Sequence, residues 1–145
     1  MYIRHVPITF TSPAAASTVV ETDTWENLHV WDEFTLDAVL TGATGGTLDV
    51  YLQRRLGPNS WVDWVHLPQK ADGAAATRHT ISAANVSASW VVPGGGTDAA
   101  PGVALTASTI TTAHPGDVVR IVAVAGAGTS AGASQSLTLT MRKSG

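Results

Sequence analysis

Short runs of alternating apolar and polar residues recur along this chain, each closed by a glycine, proline or Ser/Thr turn. The pattern is densest between Phe34 and Leu67, which reads FTLDAVLTGATGGTLDVYLQRRLGPNSWVDWVHL. Phe34, Leu36, Ala38 and Leu40 share one parity, against Thr35, Asp37 and Thr41, with Val39 out of step. Leu48, Val50 and Leu52 alternate with Asp49, Tyr51 and Gln53. A period of two puts each set on one face of a strand. The stretch predicts a three-stranded antiparallel meander with one buried and one wetter face.

Other segments follow the same logic. Val118–Ala125 is the most hydrophobic run, with Arg120 interrupting one parity, and predicts a strand buried on nearly both sides. Ser136–Arg142 alternates cleanly, with Leu137, Leu139 and Met141 on the inner side. Residues 2–11 read as an extended segment. Pro7 has no amide donor, so this segment belongs at a sheet edge or forms an arm reaching a neighbouring subunit. Residues 12–24 read as a loop with a short helix or strand, and residues 25–31 as a strand carrying Trp25 and Trp31 on one face. Thr77–Ile81, residues 88–92 and residues 103–111 add weaker strands. The loops are 93–102 (PGGGTDAAPG), the His114–Asp117 turn and the Gly126–Gly132 turn. No amphipathic helix of useful length is present. Eight or nine short strands between turns predict an all-β chain, an antiparallel, jelly-roll-like β-sandwich, with an up-and-down barrel as the alternative. The expected division is 1–24, an N-terminal extended segment or arm of the same domain, and 25–145, the sandwich.

At 145 residues the chain has the length of one domain. Folding at this size buries roughly 70% of the unfolded surface, so a core needs no metal or disulfide. There is no cysteine, which removes disulfides, Cys-zinc sites and thiol nucleophiles together. Net charge is −3 and charged residues make up 13%, about half the usual fraction. That balance argues against a disordered chain and against a duplex-DNA binder, so no nucleic-acid partner is expected. A surface with so few charges is clothed in Thr, Ser, Ala and Gly, or hidden against partners. No segment has the apolar length of a membrane span, and the first residues lack a signal-peptide run.

The polar residues form no recognisable reaction centre. His5, His29, His66, His79 and His114 are scattered one per segment, without metal-ligand spacing. His66 and Asp63 fall on opposite strand faces. There is no GxSxG motif, and Glu21, Glu26, Glu33 and Asp37 read as solvated acids. The glycine-rich loops do not join a strand to a helix, as a phosphate cradle requires. Asn85-Val86-Ser87 is a formal glycosylation sequon that reads as chance. The expectation is a non-enzyme with no cofactor and no metal. The tryptophans carry more information. Trp61 and Trp64 have opposite parity in WVDWVHL, so one sheet face cannot hide both. Tryptophan beside Arg54 and Arg55 has the composition of an interface hot spot. Tryptophan on a sandwich face also suits stacking against sugars.

The segment TGGTLDVYLQRRLGPNSWVDWVHLPQ resembles a recurring pattern in small virion proteins of tailed bacteriophages: a Gly/Thr turn, a TLDVYLQ-like strand, a polar turn, W-x-D and a closing apolar strand. The end, HPGDVVRIVAVAGAGTSAGASQSLTLTMRK, is similar in style. Together these cover about half the chain. The resemblance implies a capsid cement or decoration protein, a β-sandwich on the outer capsid surface of the virion that staples the shell. The implied partners are the major capsid protein and further copies of the chain, in a dimer or trimer, with no membrane. The residues expected to make contacts are Tyr2, Ile3, Val6, Trp25, Trp31, Arg54, Arg55 and Trp64. The alternative is a glycan-binding module of a head fibre or tail component, for which exposed tryptophan and Tyr51 speak.

Overall fold

The computed structural model describes residues 1–67, 69–84, 109–110 and 114–145. Nine antiparallel strands lie among them: β1 (Tyr2–Thr11), β2 (Thr18–Trp25), β3 (Glu33–Leu40), β4 (Leu48–Gly57), β5 (Ser60–His66), β6 (Thr77–Ala84), β7 (Thr109–Ile110), β8 (Val119–Ala125) and β9 (Ser134–Lys143). They form a four-stranded sheet in the order β1-β9-β3-β6 and a five-stranded sheet in the order β2-β8-β4-β5-β7. Successive strands change sheet at every step except β4 to β5 and β7 to β8. This is the strand order of a jelly roll with β7 added at one edge.

Alternation explains which side chains fill the space between the sheets. β3 contributes Phe34, Leu36, Ala38 and Leu40, and β9 contributes Leu137, Leu139 and Met141, all buried. The five-stranded sheet answers with Leu48, Val50 and Leu52 from β4 and Val119, Ile121 and Ala123 from β8. β8 lies between β2 and β4, and Val122, on its outer side, is only 1% exposed. That matches a strand buried on nearly both sides. β1 pairs with β9 along its whole length, from Tyr2↔Lys143 to Thr11↔Ser134, so the N-terminal segment is a docked strand. It occupies a sheet edge, where a proline is tolerated.

Two local expectations fail. The predicted meander does not exist, because β3 and β4 lie in different sheets. The Gly/Thr-rich link between them is a crossover rather than a hairpin turn. Its amides are held elsewhere: Gly42 N–H donates to Ala74 O, and Gly45 N–H donates to the Asp72 carboxylate at 2.7 Å. Gly45 has φ +89° and lies directly against the backbone of Gly128, whose φ is +85°; a Cβ on either residue would overlap the other's carbonyl. Only β4 and β5 form the expected hairpin. The second failure is the predicted strand over 25–31. β2 ends at Trp25, Asn27 turns left-handed at φ 59°, and Leu28–Val30 forms one turn of 3-10 helix. The predicted strand at 88–92, the glycine loop at 93–102, the sequon at Asn85 and most of the segment 103–111 lie outside the described residues.

Candidate interaction surfaces

The residues expected to contact partners have separate fates. Tyr2 and Ile3 are 66% and 51% exposed at the start of β1. Trp25 is 1% exposed and is a core residue, which corrects its placement at a contact. Its indole N–H donates to the carbonyl of Val6 at 3.0 Å and ties β2 to β1 across the sandwich edge. Val6 and Trp31 are partly buried against the same core. The Trp31 carbonyl accepts from His114 Nε2 at 3.1 Å, while His114 Nδ1 accepts from Gly116 N–H, so a neutral imidazole with its proton on Nε2 satisfies both bonds.

Trp64 is also corrected. A register shift in the β4–β5 pairing, between Leu52 and Gln53, leaves Trp64 as an extra residue. A bulge of this kind lets two successive side chains turn the same way. Trp64 and Val65 therefore both enter the core, and Trp64 is 2% exposed, edge-on to Phe34 at 6.2 Å. Trp61 is the tryptophan on the outer side. One face does not hide both rings, but the ring left outside is Trp61, not the expected Trp64. Arg54 follows the inner parity of β4 and is half-buried; desolvation pushes its guanidinium below its ordinary range. Arg55 faces out and donates to Asp117 at 2.9 Å.

The outer face of the five-stranded sheet carries a polar network that the sequence reading missed. Register places Tyr51 beside His66, Gln53 beside Asp63 and Gln53 beside Arg120. The amide of Gln53 works in both directions: its N–H donates to Asp63 at 2.8 Å, and its oxygen accepts two bonds from Arg120, at 2.9 and 2.8 Å. Arg120 also lies 4.3 Å above the Trp61 ring, within cation–π range. Asp49 joins His66 Nε2 at 2.8 Å and accepts from Gln69 at 2.7 Å. Desolvation works to raise the Asp49 carboxyl, but the bonds from His66 and Gln69 outweigh it and hold the group below its ordinary value. The Tyr51 ring stacks on His66 at 3.9 Å. Burial, helped by the charges of Asp49 and Asp63, pushes the Tyr51 phenol up to about 12. Mutual satisfaction on this scale makes a rigid surface.

The opposite outer face, on the four-stranded sheet, is different in kind. The outward residues of β9 are Ser136, Thr138, Thr140 and Arg142, and register sets them beside Thr9, Pro7, His5 and Ile3 of β1 and beside Val39, Asp37, Thr35 and Glu33 of β3. His5 Nδ1 shares a 2.8 Å bond with the Thr140 hydroxyl, and Arg142 donates to Thr35. The β1–β9 half of this face is lined mainly by hydroxyls and ends at the exposed Ile3, while the β3–β6 half carries Glu33 and an ion pair between Asp37 and Arg78 at 3.3 Å. Among the described residues, no three His, Asp or Glu side chains converge as metal ligands.

No protein-family model matches the chain, and no curated protein matches it. Among solved structures it is similar to a chain from work titled "Bacillus endospore appendages form a novel family of disulfide-linked pili", at 8% identity over 98% of this chain and 89% of that one, with a TM-score of 0.45.

Proposed function

We propose that the protein is a structural virion protein that binds the outer surface of a tailed-phage capsid and stabilises the assembled shell. The observation that carries this reading is the strip of hydroxyls along β9 and β1, Ser136, Thr138, Thr140 and Thr9, that leads to the exposed Ile3 at the β1 edge. Covering neutral hydroxyls removes less hydration free energy than covering charges, so such a face docks against a protein surface at low cost. The open edge of β1 can add main-chain hydrogen bonds to a partner strand. Binding to the shell and not to free subunits then stabilises the shell by mass action. The jelly-roll order agrees with this reading as fold-level analogy, because jelly rolls recur in viral capsid domains.

The test is co-sedimentation of purified protein with capsid shells, alongside mass spectrometry of virions. Binding in a copy number that fits capsid symmetry supports the reading. Ile3→Asp and Thr138→Lys, which place charges on the proposed face, should weaken binding while leaving the melting temperature nearly unchanged. Absence from virions together with failure to sediment with shells refutes it.

A further inference from the structure

A second surface carries its own inference. At one end of the five-stranded sheet a cleft of about 320 Å³ is lined by Thr24, Glu26, Asn27, Arg55, Trp61 and Asp117. Its size lies near the lower end of the roughly 300–1,000 Å³ range of small-molecule sites. The sheet order β2-β8-β4-β5 sets its length. From Thr24 on β2 to Trp61 on β5 there are three strand spacings, about 14 Å. Trp61 supplies an indole already backed by Arg120 at 4.3 Å. Arg55 donates to one Asp117 oxygen at 2.9 Å, and the other lies 3.1 Å from His29 Nδ1. The Thr24 hydroxyl donates to Glu26 at 3.2 Å and fixes the opposite wall. Asn27, held at φ 59°, makes no side-chain capping bond, so its amide is not committed to the 3-10 turn that follows.

We infer that this cleft binds a neutral saccharide. The argument rests on matching chemistry. Each sugar hydroxyl both donates and accepts, and the cleft offers both roles side by side. The Asn27 amide and Arg55 guanidinium donate; the Glu26 and Asp117 carboxylates and the Asn27 carbonyl accept. The apolar face of a pyranose presents polarised C–H groups that suit the negative face of an indole. The formal charges of Glu26, Asp117, Arg55 and Arg120 sum to zero, so the cleft has no net charge to draw an ionic sugar. The cleft lies on the sheet opposite the proposed capsid-facing surface, so this inference stands independently of the capsid reading.

The experiment uses the isolated protein, without capsids. A glycan array containing neutral and acidic saccharides is followed by calorimetric titration with maltose, lactose and cellobiose at millimolar concentration. Binding of at least one neutral saccharide is expected, weakened about tenfold or more by Trp61→Ala. Asn27→Gly keeps the left-handed backbone, which glycine accepts freely. It should therefore fold as the parent does and still lose about three- to tenfold in affinity, the worth of one hydrogen bond. Folding of both variants is checked by thermal melts. No neutral saccharide bound, only acidic ones bound, or affinity unchanged in well-folded Asn27→Gly and Trp61→Ala each overturns the inference. None of these outcomes touches the co-sedimentation result, so the two readings fail separately.

Discussion

Replacing Trp64 and Trp61 one at a time by alanine tests the inward and outward assignment of the two rings. Trp64 is 2% exposed, and a buried tryptophan removes on the order of 150–250 Å² from water. At roughly 25 cal/mol per Å² this is about 4–6 kcal/mol, and measured Trp→Ala losses in cores run about 3–5 kcal/mol. The edge-on contact with Phe34 at 6.2 Å adds to the loss. The expected cost of Trp64→Ala is therefore about 4 kcal/mol, a large part of the roughly 5–15 kcal/mol that a domain has. At about 2–4 °C per kcal/mol the melting temperature falls by roughly 8–16 °C. Trp61 is half-buried on the outer face, and its cation–π contact with Arg120 contributes about 0.5–1 kcal/mol. Its alanine variant should lose only about 1–2 kcal/mol in total. Urea unfolding followed by far-UV circular dichroism measures both. A loss from Trp61→Ala equal to or larger than that from Trp64→Ala refutes the assignment, as does a Trp64→Ala variant as stable as the parent.

Four further substitutions probe what holds the fold together. Gln135 is fully buried and bonds to Ser12 Oγ at 2.8 Å and to Thr41 N–H and C=O, both at 2.7 Å; Gln135→Ala should cost about 2–4 kcal/mol in urea unfolding, with Ser12→Ala costing less. The Glu21 carboxyl is raised above 4.5 by burial and by Asp23, so the parent loses stability as pH rises through that range; Glu21→Gln should melt higher at pH 7, with the gain vanishing below pH 4.5. The Asp49 carboxyl is held below 3.8, so it stabilises the fold above that pH and the benefit is lost as pH falls through the depressed value; unfolding free energies of parent and Asp49→Asn, measured between pH 5 and 2, should converge at the acid end.

The faces of the strands were legible because alternation is a local property. β3, β4 and β9 bury the residues that parity selects. Pairing is not local. Nothing in a Gly/Thr run distinguishes a hairpin turn from a crossover between sheets, because both need the same backbone freedom. The difference lies in partners distant in sequence, such as Gln135 for Thr41, Asp72 for Gly45 and the backbone of Gly128. Parity also fails where the backbone leaves the pleat. The bulge at Trp64 turns two successive side chains, Trp64 and Val65, into the core.

The few charges of this chain are unevenly placed. Asp49, Asp63, Arg55, Arg120 and Asp117 gather on the outer side of the five-stranded sheet and its adjoining end, bonded to one another or to amides and imidazoles. In sequence they look like isolated polar residues between apolar ones; only register brings Gln53 between Asp63 and Arg120. The consequence is a two-sided molecule. One outer face spends its charges on internal order and ends in a cleft of mixed donors and acceptors. The other pairs Asp37 with Arg78 on its β3–β6 side and keeps hydroxyls and the exposed Ile3 on its β1–β9 side. A chain with the same composition but evenly spread charges would lack that network, so the placement of the charges, rather than their number, distinguishes the two faces.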